Sequence, residues 1–179
     1  MTSRYDLVAI VLHWSIALLI ATAFLLGLTV DDFPKAWNNS VVNVHALMGL
    51  TILALTTVRI GWRLAHKPPP LPKSSSPLLG KLSKTVHFVL YLLMLVVPAI
   101  GVPTLLYRGR GVDFGLFEIP QFLPRVPEIF HPLTELHELS AYALLGLGFG
   151  HIFAALYHQI VLRDRLVWRM VPQANGEAK

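Results

Sequence analysis

Eight histidines and no cysteines set the chemistry open to this 179-residue chain. Without thiolates, disulfides, thiolate-bound zinc and cysteine-held iron–sulfur clusters are excluded, and any metal chemistry must run through imidazole. The densest pattern is His137, His151 and His158, spaced by 14 and 7 residues. On a helix turning ~100° per residue, 14 residues return to within ~40° and 7 to within ~20°, so the three share one stripe. His137 and His151 then stand ~21 Å apart along the axis. Metal–imidazole bonds are only ~2 Å long, so these two belong to separate sites. Each needs a partner from another helix at its own depth. If successive helices alternate in direction, His45 is level with His137. His13 is level with His151 or with His158, and depth alone does not choose between them.

Two imidazoles facing each other fit one coordination chemistry. Zinc takes four ligands, and no further ligand set is visible at either level. Haem iron takes two axial ligands, the porphyrin supplying the rest. Four positions after His13, His45, His137 and His151 come Ala17, Gly49, Ala141 and Ala155, small enough to leave room beside a macrocycle. After His87 and His158 come Tyr91 and Leu162. His66 and His131 fall in loops, where a solvated imidazole needs no explanation.

The elements that must position these groups follow from composition. Hydrophobic residues make up 54% of the chain and charged residues 14%, against ~25% charged in soluble domains. A soluble fold of this size could not cover its surface with so few charges. The expected architecture is all-α: one domain over 1–179, a bundle of four transmembrane helices with spans near 7–30, 41–63, 84–107 and 133–162. The first run is longer than a signal-peptide core and no A-x-A site follows it, so it is read as a retained span. Pro98 and Pro103 are expected to kink the third. The segment 65–84, rich in Pro and Ser, is expected to be an extended, solvated linker. The half-apolar loop 108–131 is expected to lie across the mouth of the bundle.

Charge orients the bundle. Placing both termini on one side leaves only Lys35, Arg108, Arg110 and Arg125 of the fifteen basic residues on the other. The terminal side is therefore expected to be cytoplasmic, N-in and C-in. The +5 net charge is a topology signal, which argues against a nucleic-acid surface.

His13 within Leu-His-Trp, His45 with Gly49, and the His137/His151 pair together resemble the bacterial cytochrome b561 family over nearly the whole chain. The 14-residue spacing is also similar to that of the cytochrome b subunits of membrane formate dehydrogenases and hydrogenases. The resemblance implies two haem b groups (iron protoporphyrin IX) between the helices, one held by His13 and His151 near the cytoplasmic side, one by His45 and His137 near the outer side. It thus selects His151 over His158 as partner of His13. The chain looks close to short stand-alone members, including one that oxidises superoxide and reduces ubiquinone. They imply an oxidoreductase of the bacterial inner membrane, with superoxide as periplasmic donor and ubiquinone as acceptor near the inner haem. On that reading His158, Lys81, Ser15 and His87 are candidates for the quinone site, and Arg59 and Arg63 for the haem propionates. Lys35, Arg108, Arg110 and Arg125 could steer a small anion, although that side carries more acids than bases. No side chain is assigned as catalytic. The alternatives are an electron-relay subunit anchoring a periplasmic dehydrogenase or hydrogenase, and a non-redox proton or metal transporter. Against the transporter, no Asp or Glu lies mid-span.

Overall fold

The computed structural model describes residues 4–67, 69, 77–164 and 166–172. Four helices dominate it: α1 (Leu7–Leu28), α2 (Asn38–Ala65), α3 (Pro77–Tyr107) and α4 (Pro127–Ile160). All four are long and apolar enough to cross a bilayer. In lipid every backbone polar group must be satisfied within the segment, and an unbroken helix does this. Leu18, Phe88, Leu139 and Phe153 are all more than half exposed, as side chains facing acyl chains would be. Buried apolar side chains are few, among them Ile10, Ile16, Ile52 and Leu144.

Helix starts depart from the sequence expectation for local reasons. A bilayer sets the minimum length of a span, not where the helix stops. α4 begins at Pro127, ahead of the expected 133, because proline suits a first helical turn and Glu128 favours the positive end of the dipole. His131 therefore lies on a helix, not in a loop, with its ring 4.4 Å from that of Phe130. α3 begins at Pro77, ahead of 84, so the end of the expected linker is helical. Most of the Pro- and Ser-rich stretch, with Lys73, lies outside the described residues, as do Arg165 and Lys179. α3 runs through Pro98 and Pro103 without interruption.

The first and last described segments meet at one end of the bundle. The Tyr5 N–H donates to the Arg169 carbonyl (3.3 Å), and the Trp14 indole N–H to the Met170 carbonyl (2.7 Å). Asp6 caps α1 by accepting the Ala9 N–H at 2.9 Å. At the opposite end a two-stranded hairpin, β1 (Val112–Asp113) and β2 (Glu118–Ile119), joins α3 to α4. Asn43 pins it to α2, donating to the Asp113 carbonyl (2.8 Å) and accepting the Asp113 N–H (2.9 Å). These are the terminal end and the hairpin end.

Packing is unequal around the bundle. α1 packs on α2, α2 on α3 and α3 on α4, whereas among the described residues α4 packs closely on neither α1 nor α2. The space beside α4 is where the histidines meet.

Candidate haem-binding sites

At the hairpin end, His45 of α2 faces His137 of α4, with ring centres 6.0 Å apart and planes at 77°. Two ~2 Å metal–imidazole bonds and half of each ring add up to about 6 Å, so the spacing fits one metal ion between the rings. The outward nitrogens are fixed. His45 Nδ1 lies 3.0 Å from the Ala23 carbonyl of α1, and His137 Nδ1 lies 2.9 Å from the Val97 carbonyl of α3. A carbonyl can only accept, so each Nδ1 carries the proton and each Nε2 keeps a lone pair for a metal. Two glycines give the rings room: a Cβ on Gly27 would come within 3.1 Å of His45 Cε1, and one on Gly101 within 3.1 Å of His137 Cε1. Gly49 and Ala141 line an apolar cavity with both histidines.

At the terminal end three imidazoles gather. His13 of α1 and His151 of α4 are 6.4 Å apart between ring centres, planes at 79°. His87 of α3 lies 5.1 Å from His151, too near for a metal between those two rings. Its Nδ1 donates to the Ser83 carbonyl at 2.6 Å. Neither His13 nor His151 has a hydrogen-bond partner at Nδ1 among the described residues. Arg59 donates through Nε to the Tyr91 hydroxyl (2.9 Å) and through Nη1 to the Ala9 carbonyl (3.2 Å). Arg63 stacks over the Tyr91 ring at 5.8 Å. Both arginines border a cavity of about 440 Å³ that Arg4, Lys67 and Trp62 also line.

The four quinone candidates do not form one hydrogen-bonded group. His87 is engaged with Ser83 and packed on His151. Lys81 is exposed and Ser15 half-buried, and neither has a side-chain hydrogen bond or ion pair among the described residues. His158 pairs through Nδ1 with the Asp164 carboxylate at 2.5 Å. That pairing depends on a tight turn after α4. Arg163 adopts φ 52°, the Asp164 N–H returns to the His158 carbonyl (3.2 Å), and the other carboxylate oxygen accepts the Leu166 N–H (3.2 Å). At the hairpin end Arg108, Arg110 and Arg125 lie together, while Lys35 is exposed in the turn before α2.

Sequence reasoning missed Gly27, Gly101 and Asp164. A signal for the glycines was present: 14 residues separate His13 from Gly27, His45 from Arg59, His87 from Gly101 and His137 from His151. Each helix thus carries two positions on one face, repeated at the same interval. Asp164 gave no such signal, because its contact is made by a turn.

Among the described residues no three His, Cys, Asp or Glu side chains converge on one point as a metal cage would require. Paired imidazoles in a gap between helices, with tautomers oriented and small residues alongside at the hairpin end, suit a metal tetrapyrrole that needs only two protein ligands. The fold is that of a multi-pass membrane protein, and its histidine pairs suit such a group. The chain belongs to the prokaryotic cytochrome b561 family, whose sequence model matches residues 4–173. It is 32% identical over 181 residues to the probable superoxide oxidase CybB of Yersinia pestis, covering 98% of this chain and 100% of that protein. It is 32% identical to cytochrome b562 of Cereibacter sphaeroides (93% and 94% covered) and 26% identical to cytochrome b561 homolog 2 of Escherichia coli K12 (97% and 94%). It is accordingly a membrane electron-transfer protein of a family that binds haem b.

Proposed function

We propose that this chain moves electrons across the membrane between two haem b groups, one held by His45 and His137, the other by His13 and His151. The observation that carries this is the pair of imidazole couples, 6.0 and 6.4 Å between ring centres, set on α4 at positions 14 residues apart. Bound haem supplies reversible one-electron redox chemistry. The polypeptide sets the axial ligands, excludes water with apolar helices, and determines what reaches each end.

The donor in this reading is superoxide, arriving at the hairpin end, and the acceptor is ubiquinone at the terminal end. Two superoxide ions give two O2, and the quinone takes the two electrons with two protons to give quinol. The similarity to the probable superoxide oxidase of Yersinia pestis supports the donor. Most of the basic residues favour a cytoplasmic terminal end in a bacterial inner membrane. His158, with Asp164 holding its Nδ1–H, presents Nε2 as the proton carrier for the quinone, and Lys81 and Ser15 complete its surroundings. Arg59 and Arg63 hold the propionates of the terminal-end haem, which the adjoining basic cavity supports.

A second reading, an electron relay for a periplasmic dehydrogenase, draws on the hairpin region. Leu116 is 97% exposed there, and Phe117 and Phe122 are about 60% exposed. Apolar side chains in that position suit a docking partner.

The deciding experiment is a reduced-minus-oxidised spectrum of the purified protein with a haem count, followed by mixing with a superoxide generator and ubiquinone. Two b-type haems per chain, reduced by superoxide and reoxidised by quinone, is the expected result. Absence of haem would end the redox reading. Reduction only with an added dehydrogenase would favour the relay.

A further inference from the structure

Three arginines meet at the hairpin end of the bundle. Arg108 follows α3, and Gly109, at φ 71°, reverses the chain so that Arg110 returns toward the bundle. The guanidinium groups of Arg108 and Arg125 each lie 5.4 Å from the centre of the Phe130 ring, itself only 3% exposed. Arg108 Nη2 donates to Thr134 Oγ1 (3.3 Å) and Arg110 Nη2 to Asn38 Oδ1 (2.9 Å). Both partners are neutral.

The acids of this end stay away. Seven Asp and Glu residues belong to it by sequence, yet none forms an ion pair with any of the three arginines among the described residues. Arg108 Nε and Arg110 Nη1 are buried with no hydrogen-bond partner among those residues. Unmet buried donors are costly, and so is gathering like charges. Burial, then the charges of Arg108 and Arg125, pull the pKa of Arg110 below its ordinary value. An anion with oxygen acceptors would offset both costs.

The anchors of the cluster share helix faces with the histidine site. Asn38 precedes His45 by two turns and Thr134 precedes His137 by one, while Arg108 follows Gly101 by two turns. Gly101 is the residue that covers the His137 ring.

We infer that Arg108, Arg110 and Arg125 form an oxyanion site directly over the His45/His137 pair, for a haem propionate or for a small free oxyanion such as superoxide. The inference rests on the reading that this pair holds a haem. The test uses the full-length, haem-loaded protein and the variants Arg110→Gln and Arg108→Gln. Lys35→Gln is the control, removing the same charge from the same end at an exposed position outside the cluster.

If the anion is a propionate, the midpoint potential of the hairpin-end haem falls in the arginine variants and becomes pH-dependent near the carboxylate range. If it is a free oxyanion, reduction by superoxide slows by roughly tenfold and loses its salt dependence, while reduction by a neutral donor is unchanged. Should Arg110→Gln fail to fold, Arg125→Gln gives the same readout, because it leaves the Asn38 and Thr134 contacts intact. The inference is overturned if superoxide rate, potential and pH dependence all match Lys35→Gln. A wild-type protein without haem would instead overturn the functional reading beneath it.

Discussion

The two levels of the bundle are built on the same 14-residue interval but filled differently. At the hairpin level the four helices contribute Gly27, His45, Gly101 and His137. At the terminal level the corresponding positions are His13, Arg59, His87 and His151. α4 supplies an imidazole to both, and the second imidazole comes from α2 at one level and α1 at the other. Where the hairpin level has only hydrogen atoms against the rings, the terminal level has a third imidazole and a guanidinium. The hairpin pair is locked by backbone carbonyls through both Nδ1 atoms, whereas the terminal pair has no such locks among the described residues. The first is a fully oriented site beside an apolar cavity, and the second borders a basic cavity and carries extra ionisable groups. The proposed reduction of a quinone at the terminal level would need groups of that kind, because it takes up protons as well as electrons.

Removing a shared-helix ligand breaks the comparison most severely. His137→Ala is expected to lose the hairpin-level haem and keep the other, halving haem per chain in a pyridine haemochrome assay. His151→Ala is expected to do the reverse. If either variant lost both haems, the two levels would not be independent sites.

The glycine difference gives the next largest effect. Gly101→Val places side-chain atoms where even a Cβ would stand 3.1 Å from His137 Cε1, so the ring must swing from its position and the hairpin-level haem should bind weakly. A Cβ added at Gly146 of α4 would meet nothing within 4 Å, so Gly146→Ala should bind haem normally and gain up to ~1 kcal/mol in helix stability. Haem titration should therefore weaken for Gly101→Val alone, while the thermal unfolding of the two variants moves in opposite directions. Equal behaviour would mean that Gly101 is not a cover for the ring.

How much of this is legible in the sequence depends on the range of the interaction. The four spans, and the histidines on their faces, can be read because lipid demands long apolar helices and a helix has a fixed period. The same period reaches Gly27 and Gly101, but glycine is common in membrane helices and draws no notice until a ring is seen against it. Hydropathy puts the helix starts at Pro77 and Pro127 too late because it marks the lipid-facing stretch, not the cap. Asp164 cannot be read at all. Its meeting with His158 depends on Arg163 adopting a left-handed backbone, which no pattern in the side chains announces.

His87 sharpens the comparison further. As the counterpart of Gly101 it packs on His151 without room for a metal between them, so His87→Ala should retain both haems. The expected change is a shifted midpoint potential for the terminal-level haem alone, read by spectroelectrochemical titration. Loss of that haem would make His87 a ligand and displace His13 from the pair. His158→Ala should likewise keep both haems while slowing their reoxidation by quinone.

The smallest effect tests the rim of the terminal level. Among the described residues Asp6 is the one acidic residue lining the basic cavity, and it accepts hydrogen bonds from the Ala9 N–H and the Trp62 indole N–H, both at 2.9 Å. Burial acts to raise its pKa, but these two donors, its own backbone N–H and the charge of His66 together hold it below the ordinary carboxylate value. A carboxyl whose folded pKa is depressed contributes stability above its unfolded pKa of ~3.9, and that contribution is lost as pH falls through the lower folded value. Asp6→Ala should cost about 1 kcal/mol as a lost helix cap and flatten the acid limb of thermal unfolding. The capping contact belongs to α1, but the Trp62 contact ties α1 to α2 beside Arg59, on the side of the bundle opposite the hairpin. The variant should therefore leave the hairpin-level haem spectrum unchanged, and a shift in that spectrum would show the two levels to be coupled through the length of α1.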